Sequence, residues 1–272
     1  MVFEGTGLSR QRLAALKQEL LPLIGTQFDT LMLPSAVLSA FEPSQIGTIV
    51  GSLMDALIPH LDNIPQVGLS KHAGLLGERE GYPDYIHASG LRVELKLLYV
   101  DNPNLTMKRP PTRREPSARL TQKVTVKNVI PDRDALLIIA YQLNPHWNNP
   151  GAVTPTIVDL DVFSVIELVR ARDDRLTNAG GRWFGNYETP CVLSRIGKEK
   201  YRQNLPLSIN SYGRKESEGK DYNEDTNFGK LKRIPHADLQ LFLRKCIGIG
   251  VGMSERQVEM AEIFEDDEDS LV

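Results

Sequence analysis

Gly81-Tyr82-Pro83-Asp84-Tyr85-Ile86-His87-Ala88-Ser89-Gly90-Leu91-Arg92-Val93-Glu94-Leu95-Lys96-Leu97-Leu98-Tyr99-Val100 is the stretch on which the fold turns. It reads as two short strands joined at Ser89-Gly90, where glycine supplies the positive φ of a tight hairpin turn. The second strand alternates. Leu91, Val93, Leu95 and Leu97 share one face, and Arg92, Glu94 and Lys96 the other. A turn at Ser89-Gly90 brings residues 84 and 85 opposite residues 94 and 95. Asp84 and Glu94 are therefore expected as close neighbours at a sheet edge, with Lys96 one pleat along.

Two carboxylates held close repel each other, and a divalent cation removes the repulsion. Hard oxygen ligands suit Mg2+, which keeps several waters and shares its remaining positions with phosphate oxygens. Such a cation acidifies water and neutralises phosphoryl charge, and a neighbouring lysine can orient the water or stabilise the transition state. Pro83-Asp84, followed ten residues later by Glu94-Leu95-Lys96, resembles the PD-(D/E)XK signature of restriction-endonuclease-like nucleases. The resemblance covers residues 81 to 100, with looser support to about residue 176. It implies an α/β fold with a mixed sheet flanked by helices, and phosphodiester hydrolysis at Asp84, Glu94 and Lys96. It implies Mg2+ held by Asp84, Glu94 and the Leu95 backbone carbonyl. It further implies an acid on the preceding helix bordering the metal, for which Asp55 is the better match and Glu42 the weaker.

Composition is compatible with this. The chain has 272 residues, 41% hydrophobic and 25% charged, enough for one elaborated domain or two small ones. Two cysteines exclude a disulfide scaffold and fit a reducing, cytoplasmic setting. The sequence opens without a signal-peptide pattern and contains no apolar run of membrane-spanning length, so no membrane partner is expected. Net charge is −3, but Glu262, Glu265, Asp266, Asp267, Glu268 and Asp269 crowd the last eleven residues; removing six negative charges leaves +3. This acidic tail is either a solvated terminus or a shield for a basic surface.

The chain divides into an N-terminal helical part (1–65), a catalytic α/β core (66–176), a recognition region with a terminal helix (177–261) and the tail (262–272). Ser9 caps an amphipathic helix that stops near Gly25, and Pro43-Ser44 starts a second one ending before Pro59. The N-terminal part serves packing or dimerisation. Residues 62–81 read as loop with a helical turn around Lys71 to Leu76, where Ser70, Lys71 and Arg79 are either phosphate contacts or solvated loop residues. After the hairpin, residues 108–123 hold six bases and one acid. Lys108, Arg109, Arg113, Arg114 and Arg119 there are DNA-backbone candidates, a solvated basic loop being the other reading. Ser117 starts a helix predicted to run through Val129. The resemblance makes Gln122 on that helix a further candidate, facing the active site.

Asp134 to Leu143 is a continuous apolar run, the mark of a strand buried on both faces. Pro145 to Pro155 reads as loop, Thr156 to Phe163 as strand, and Ser164 to Leu176 as helix. Residues 177–235 lose this regularity. Arg182 among glycines, aromatics and amides, and Lys230, Lys232 and Arg233, are candidates for DNA contact there; structural loops are the alternative. His236 to Ile247 reads as a last helix.

The histidines and cysteines lack zinc-ligand spacing, and neither a nucleophile elbow nor a Walker A loop is present. The function expected is a Mg2+-dependent, site-specific endonuclease on double-stranded DNA, acting as a homodimer if its target is palindromic. A repair, junction-resolving or phage-defence nuclease keeps the chemistry with another substrate. A non-catalytic DNA-binding protein is the reading of a different class.

Overall fold

The computed structural model describes residues 7–72, 81–107, 118–185, 187, 189–212 and 228–250. Its centre is a six-stranded mixed sheet built from β1 (Leu33–Pro34), β2 (Leu69–Lys71), β3 (Tyr85–His87), β4 (Arg92–Tyr99), β5 (Asp134–His146) and β6 (Asn149–Ser164). Strand order is β1-β6-β5-β4-β3-β2. Only β4 and β5 pair in parallel; every other neighbour is antiparallel.

The sheet carries apolar side chains on both faces because its central strand has no polar side. Along β5, Leu137, Ile139 and Tyr141 enter one core cluster, whereas Leu136, Ile138 and Ala140 enter the other. Each fully buried Leu or Ile is worth roughly 1.5–3 kcal/mol. The first cluster is closed by α1 (Arg10–Leu20), through Leu16 and Leu20, and by α2 (Pro43–Leu57), through Ile46, Val50 and Met54. The second is closed by α3 (Val165–Asn178), through Leu168 and Val169, and by α5 (Ala237–Gly250), through Leu239, Phe242 and Leu243. The result is an α/β protein with helices on both faces of a mixed sheet. No helix among the described residues is long and apolar enough to cross a membrane.

Ser9 does cap α1, its hydroxyl accepting from Arg12 N at 3.3 Å, and Gly25 follows with φ +88°. Four expectations are corrected. Residues 118–133 form turns, not a helix from Ser117 to Val129. Asn128 is the reason: its Oδ1 accepts from Thr125 N (2.8 Å) and its amide donates to Lys123 O (2.6 Å), so side chains take over backbone partners. β-Branched Thr121, Val124, Thr125 and Val126 add to that preference. Second, Pro145 to Pro155 is mostly strand, because β5 and β6 continue into one long hairpin. Beyond the Tyr99–Tyr141 pair β5 has no strand on its other side among the described residues, so the missing N–H of Pro145 breaks no ladder there. Third, Lys71 lies in strand β2 and not in a helical turn; residues 73–76 fall outside the described residues. Fourth, residues 177–235 are not wholly irregular: they hold the hairpin of β7 (Arg182–Phe184) and β8 (Thr189–Cys191), and α4 (Arg195–Arg202).

Candidate active site

The hairpin turn sits where its glycine requires. Gly90 has φ +80° and its N–H donates to His87 O at 2.8 Å. Tyr85 pairs with Val93 and Ile86 with Arg92, so the register places Asp84 across from Glu94, and Tyr85 opposite Val93 rather than residue 94 or 95. The pleat then separates the residues of β4. Val93 and Leu95 enter the first cluster and Leu98 and Val100 the second, which puts Glu94 and Lys96 on the second face.

Three contacts assemble the site. Leu95 N–H donates to Asp84 Oδ2 at 2.8 Å, fixing the first carboxylate against the strand that bears the second. Lys96 Nζ donates to Glu94 Oε1 at 2.6 Å and to Leu95 O at 2.9 Å. Glu94 is buried, and its Oε2 has no hydrogen-bond partner among the described residues. Burial pushes the Glu94 carboxyl up to about 7; Lys96 opposes that rise, and the Asp84 charge adds to it.

This donor set fits a hard divalent cation. The Glu94 carboxylate and the Leu95 carbonyl share the Lys96 ammonium, Asp84 lies close enough to act on the Glu94 carboxyl, and one buried carboxylate oxygen is left without a donor among the described residues. Among the described residues no group of three or more His, Cys, Asp or Glu could hold a metal ion. Mg2+ is commonly held by one or two carboxylates plus water, so a two-carboxylate site suits it better than a metal needing a full protein cage. The Lys96 ammonium supplies positive charge at the same oxygens.

Asp55 stands apart from this group. It is exposed on α2, which packs through Val50 and Met54 on the opposite face of the sheet. Its charge acts instead on the Tyr85 hydroxyl, whose pKa is raised first by burial and then by Asp55 and Asp84. Glu42 lies at the N-terminus of α2, its N–H donating to the Gln45 side chain at 2.9 Å.

Of the basic candidates, Lys108, Arg109, Arg113 and Arg114, like Arg79, lie outside the described residues. Arg119 pairs through the backbone with Lys230, flanked by Leu120 N–H to Gly229 O (2.8 Å) and Leu231 N–H to Ala118 O (3.0 Å). That bridge joins two basic segments more than a hundred residues apart, with Lys232 and Arg233 exposed in the next turn. The 118–130 segment borders the face bearing Glu94 and Lys96, since Ala118 and Val126 pack on the second cluster and Arg92 Nη2 donates to Asn128 O at 3.4 Å. Gln122 is in a turn of this segment, not on a helix. Arg182 is exposed on β7, its guanidinium 4.3 Å from the Phe184 ring centroid and 5.4 Å from that of Tyr212.

Sequence reasoning missed Tyr82, Arg92 and Asp134, which form a polar cluster beside the site, and Arg172, the largest fully buried side chain. A lone acid heading an otherwise apolar strand was the available signal for Asp134. Comparison with known protein families, curated proteins and solved structures gives no match to this chain.

Proposed function

We propose that this protein is a Mg2+-dependent endonuclease that hydrolyses phosphodiester bonds of double-stranded DNA at a specific sequence, with a restriction-endonuclease-like core. The observation that carries the reading is a short chain of hydrogen bonds: Asp84 is held by the Leu95 N–H, and the Lys96 ammonium bonds both Glu94 Oε1 and the Leu95 carbonyl. Mg2+, when bound, supplies charge neutralisation at the scissile phosphate and makes water more acidic. Asp84 and Glu94 would hold it, with Leu95 O as a further donor. Lys96 Nζ sits beside those oxygens, where it can orient a water towards phosphorus or stabilise negative charge as it develops on the phosphate. Arg119, Lys230, Lys232 and Arg233 give the backbone of the nucleic acid a cationic surface bordering the same sheet face. A palindromic target would be read by a homodimer.

Supercoiled plasmid DNA with Mg2+ separates the substrate readings. Discrete fragments support a site-specific enzyme, whereas a smear supports a repair-type or defence nuclease of the same chemistry. Gel retardation without cutting supports a non-catalytic DNA-binding protein. Equal cleavage by wild type and by Asp84→Ala overturns the site assignment.

A further inference from the structure

Asp134 is fully buried at the head of β5, in front of Ala135-Leu136-Leu137-Ile138-Ile139-Ala140. A buried carboxylate is costly unless paired, and apolar replacement of such groups is often neutral or stabilising. An acid at this position is therefore expected to serve something other than core stability. Its partners show what that is. Asp134 Oδ2 accepts from the Tyr82 hydroxyl at 2.5 Å and from Ile130 N–H at 2.9 Å, and Oδ1 lies 3.2 Å from Arg92 Nε. Arg92 also stacks over the Tyr82 ring, 5.1 Å from guanidinium carbon to centroid.

These partners lie two residues ahead of the two metal-binding candidates. Tyr82 precedes Asp84, and Arg92 precedes Glu94 on the same pleat of β4, roughly 7 Å along the strand. Asp84 belongs to the segment entering β3 and Glu94 to β4; the Leu95 N–H bond ties Asp84 to β4 at one point, and the hold on Tyr82 two residues back is a second one on the same segment. One rigid carboxylate, held by the parallel β4–β5 register that sets Asp134 beside Arg92, grips both arms.

We propose that Asp134 is a positioning residue, which through Tyr82 and Arg92 fixes the separation of Asp84 and Glu94 and thereby sets the site's affinity for a divalent cation. This rests on the metal-site reading above. Groups that orient metal ligands from behind typically change affinity by about 10–100-fold when altered.

The test is Mg2+ binding by calorimetry, with Mn2+ electron paramagnetic resonance as a second readout, on wild type, Glu94→Gln, Asp134→Asn and Tyr82→Phe, each below its unfolding transition. Wild type binds, Glu94→Gln does not, and Asp134→Asn and Tyr82→Phe bind at least about 10-fold more weakly. In DNA cleavage the Mg2+ concentration for half-maximal rate rises by the same factor in these two variants, while KM for DNA is unchanged. If both bind Mg2+ as wild type does and merely unfold at lower temperature, the network only supports the fold and the positioning role is overturned. If Glu94→Gln binds Mg2+ like wild type, the metal-site reading itself falls, and this role with it. Should Asp134→Asn fail to fold, Tyr82→Phe, which loses one hydroxyl and keeps its ring, decides the matter alone.

Discussion

Glu94 concentrates the electrostatic tension of the site. Burial pushes its carboxyl up from an ordinary 4.5 to about 7, outweighing the help of Lys96. An acid whose folded pKa is raised holds its proton more tightly when folded, so the contribution of Glu94 to stability is fully present below 4.5 and is lost as pH rises from there through about 7. The loss is of order 3 kcal/mol by linkage. Glu94→Gln is therefore expected to be more stable than wild type at about pH 8 in chelator, by about 1–3 kcal/mol, and to lose most of that advantage at about pH 4.5. Urea denaturation at the two pH values checks this. At the higher pH, Mg2+ should raise the unfolding midpoint of wild type and leave Glu94→Gln unmoved, since a ligand stabilises only the state that binds it. At this scale the sequence is informative where the chain is local. The Ser89-Gly90 turn signal makes the nearness of Asp84 and Glu94 legible, and pleating puts Glu94 with Lys96, but the exact pairing was not, because the loop is three residues long (88–90) and shifts the register by one. Asp134 is not legible in the same way, because its grip on Tyr82 spans 52 residues and depends on the parallel register of β5.

Among the elements, the segment between β4 and β5 departs furthest from its expected form, and α3 shows what holds it. Arg172 is wholly buried; its Nη1 donates to Thr121 O at 2.8 Å and Leu120 O at 3.4 Å, its Nε to Asp173 at 2.9 Å, and its guanidinium lies 4.5 Å from the Phe228 ring centroid. One side chain thus ties α3 to the end of the basic segment and to the chain entering Lys230. Arg172→Ala leaves a half-buried carboxylate and two carbonyls without this donor, and is expected to cost about 3–5 kcal/mol in urea denaturation. A cost below about 1 kcal/mol would mean that water replaces these bonds. The helical periodicity of α1, α2, α3 and α5 was readable from apolar spacing and caps. The turns at 121–130 were not, since Asn128 and Thr125 take backbone partners that a periodicity argument assigns to the helix. The length of the β5–β6 hairpin was hidden by prolines, which sit where the neighbouring strand has already ended.

For the molecule as a whole, the question is whether the chemistry and the positive charge serve one substrate. The Arg119–Lys230 bridge unites basic residues that stand as separate clusters in the sequence. Replacing Arg119, Lys230, Lys232 and Arg233 by Gln is expected to weaken DNA binding for all sequences alike. The slope of log K against log[salt] should become shallower by about 0.9 for each phosphate that is no longer neutralised. Fluorescence anisotropy over a salt series measures this, and an unchanged slope would place the DNA elsewhere on the surface. The division into an α/β body with helices on both faces was legible in the sequence, because the run in β5 is apolar on both sides. The joining of the two basic segments was not, since it depends on a backbone pairing between residues remote in the chain. The most direct test of the central claim is single-turnover cleavage of double-stranded DNA in Mg2+ by wild type and by Lys96→Ala, with folding of both verified. Cleavage by wild type with a rate at least roughly 100-fold lower in the variant is the expected result. Equal rates in the two proteins, or no Mg2+-dependent cleavage by wild type, would contradict it.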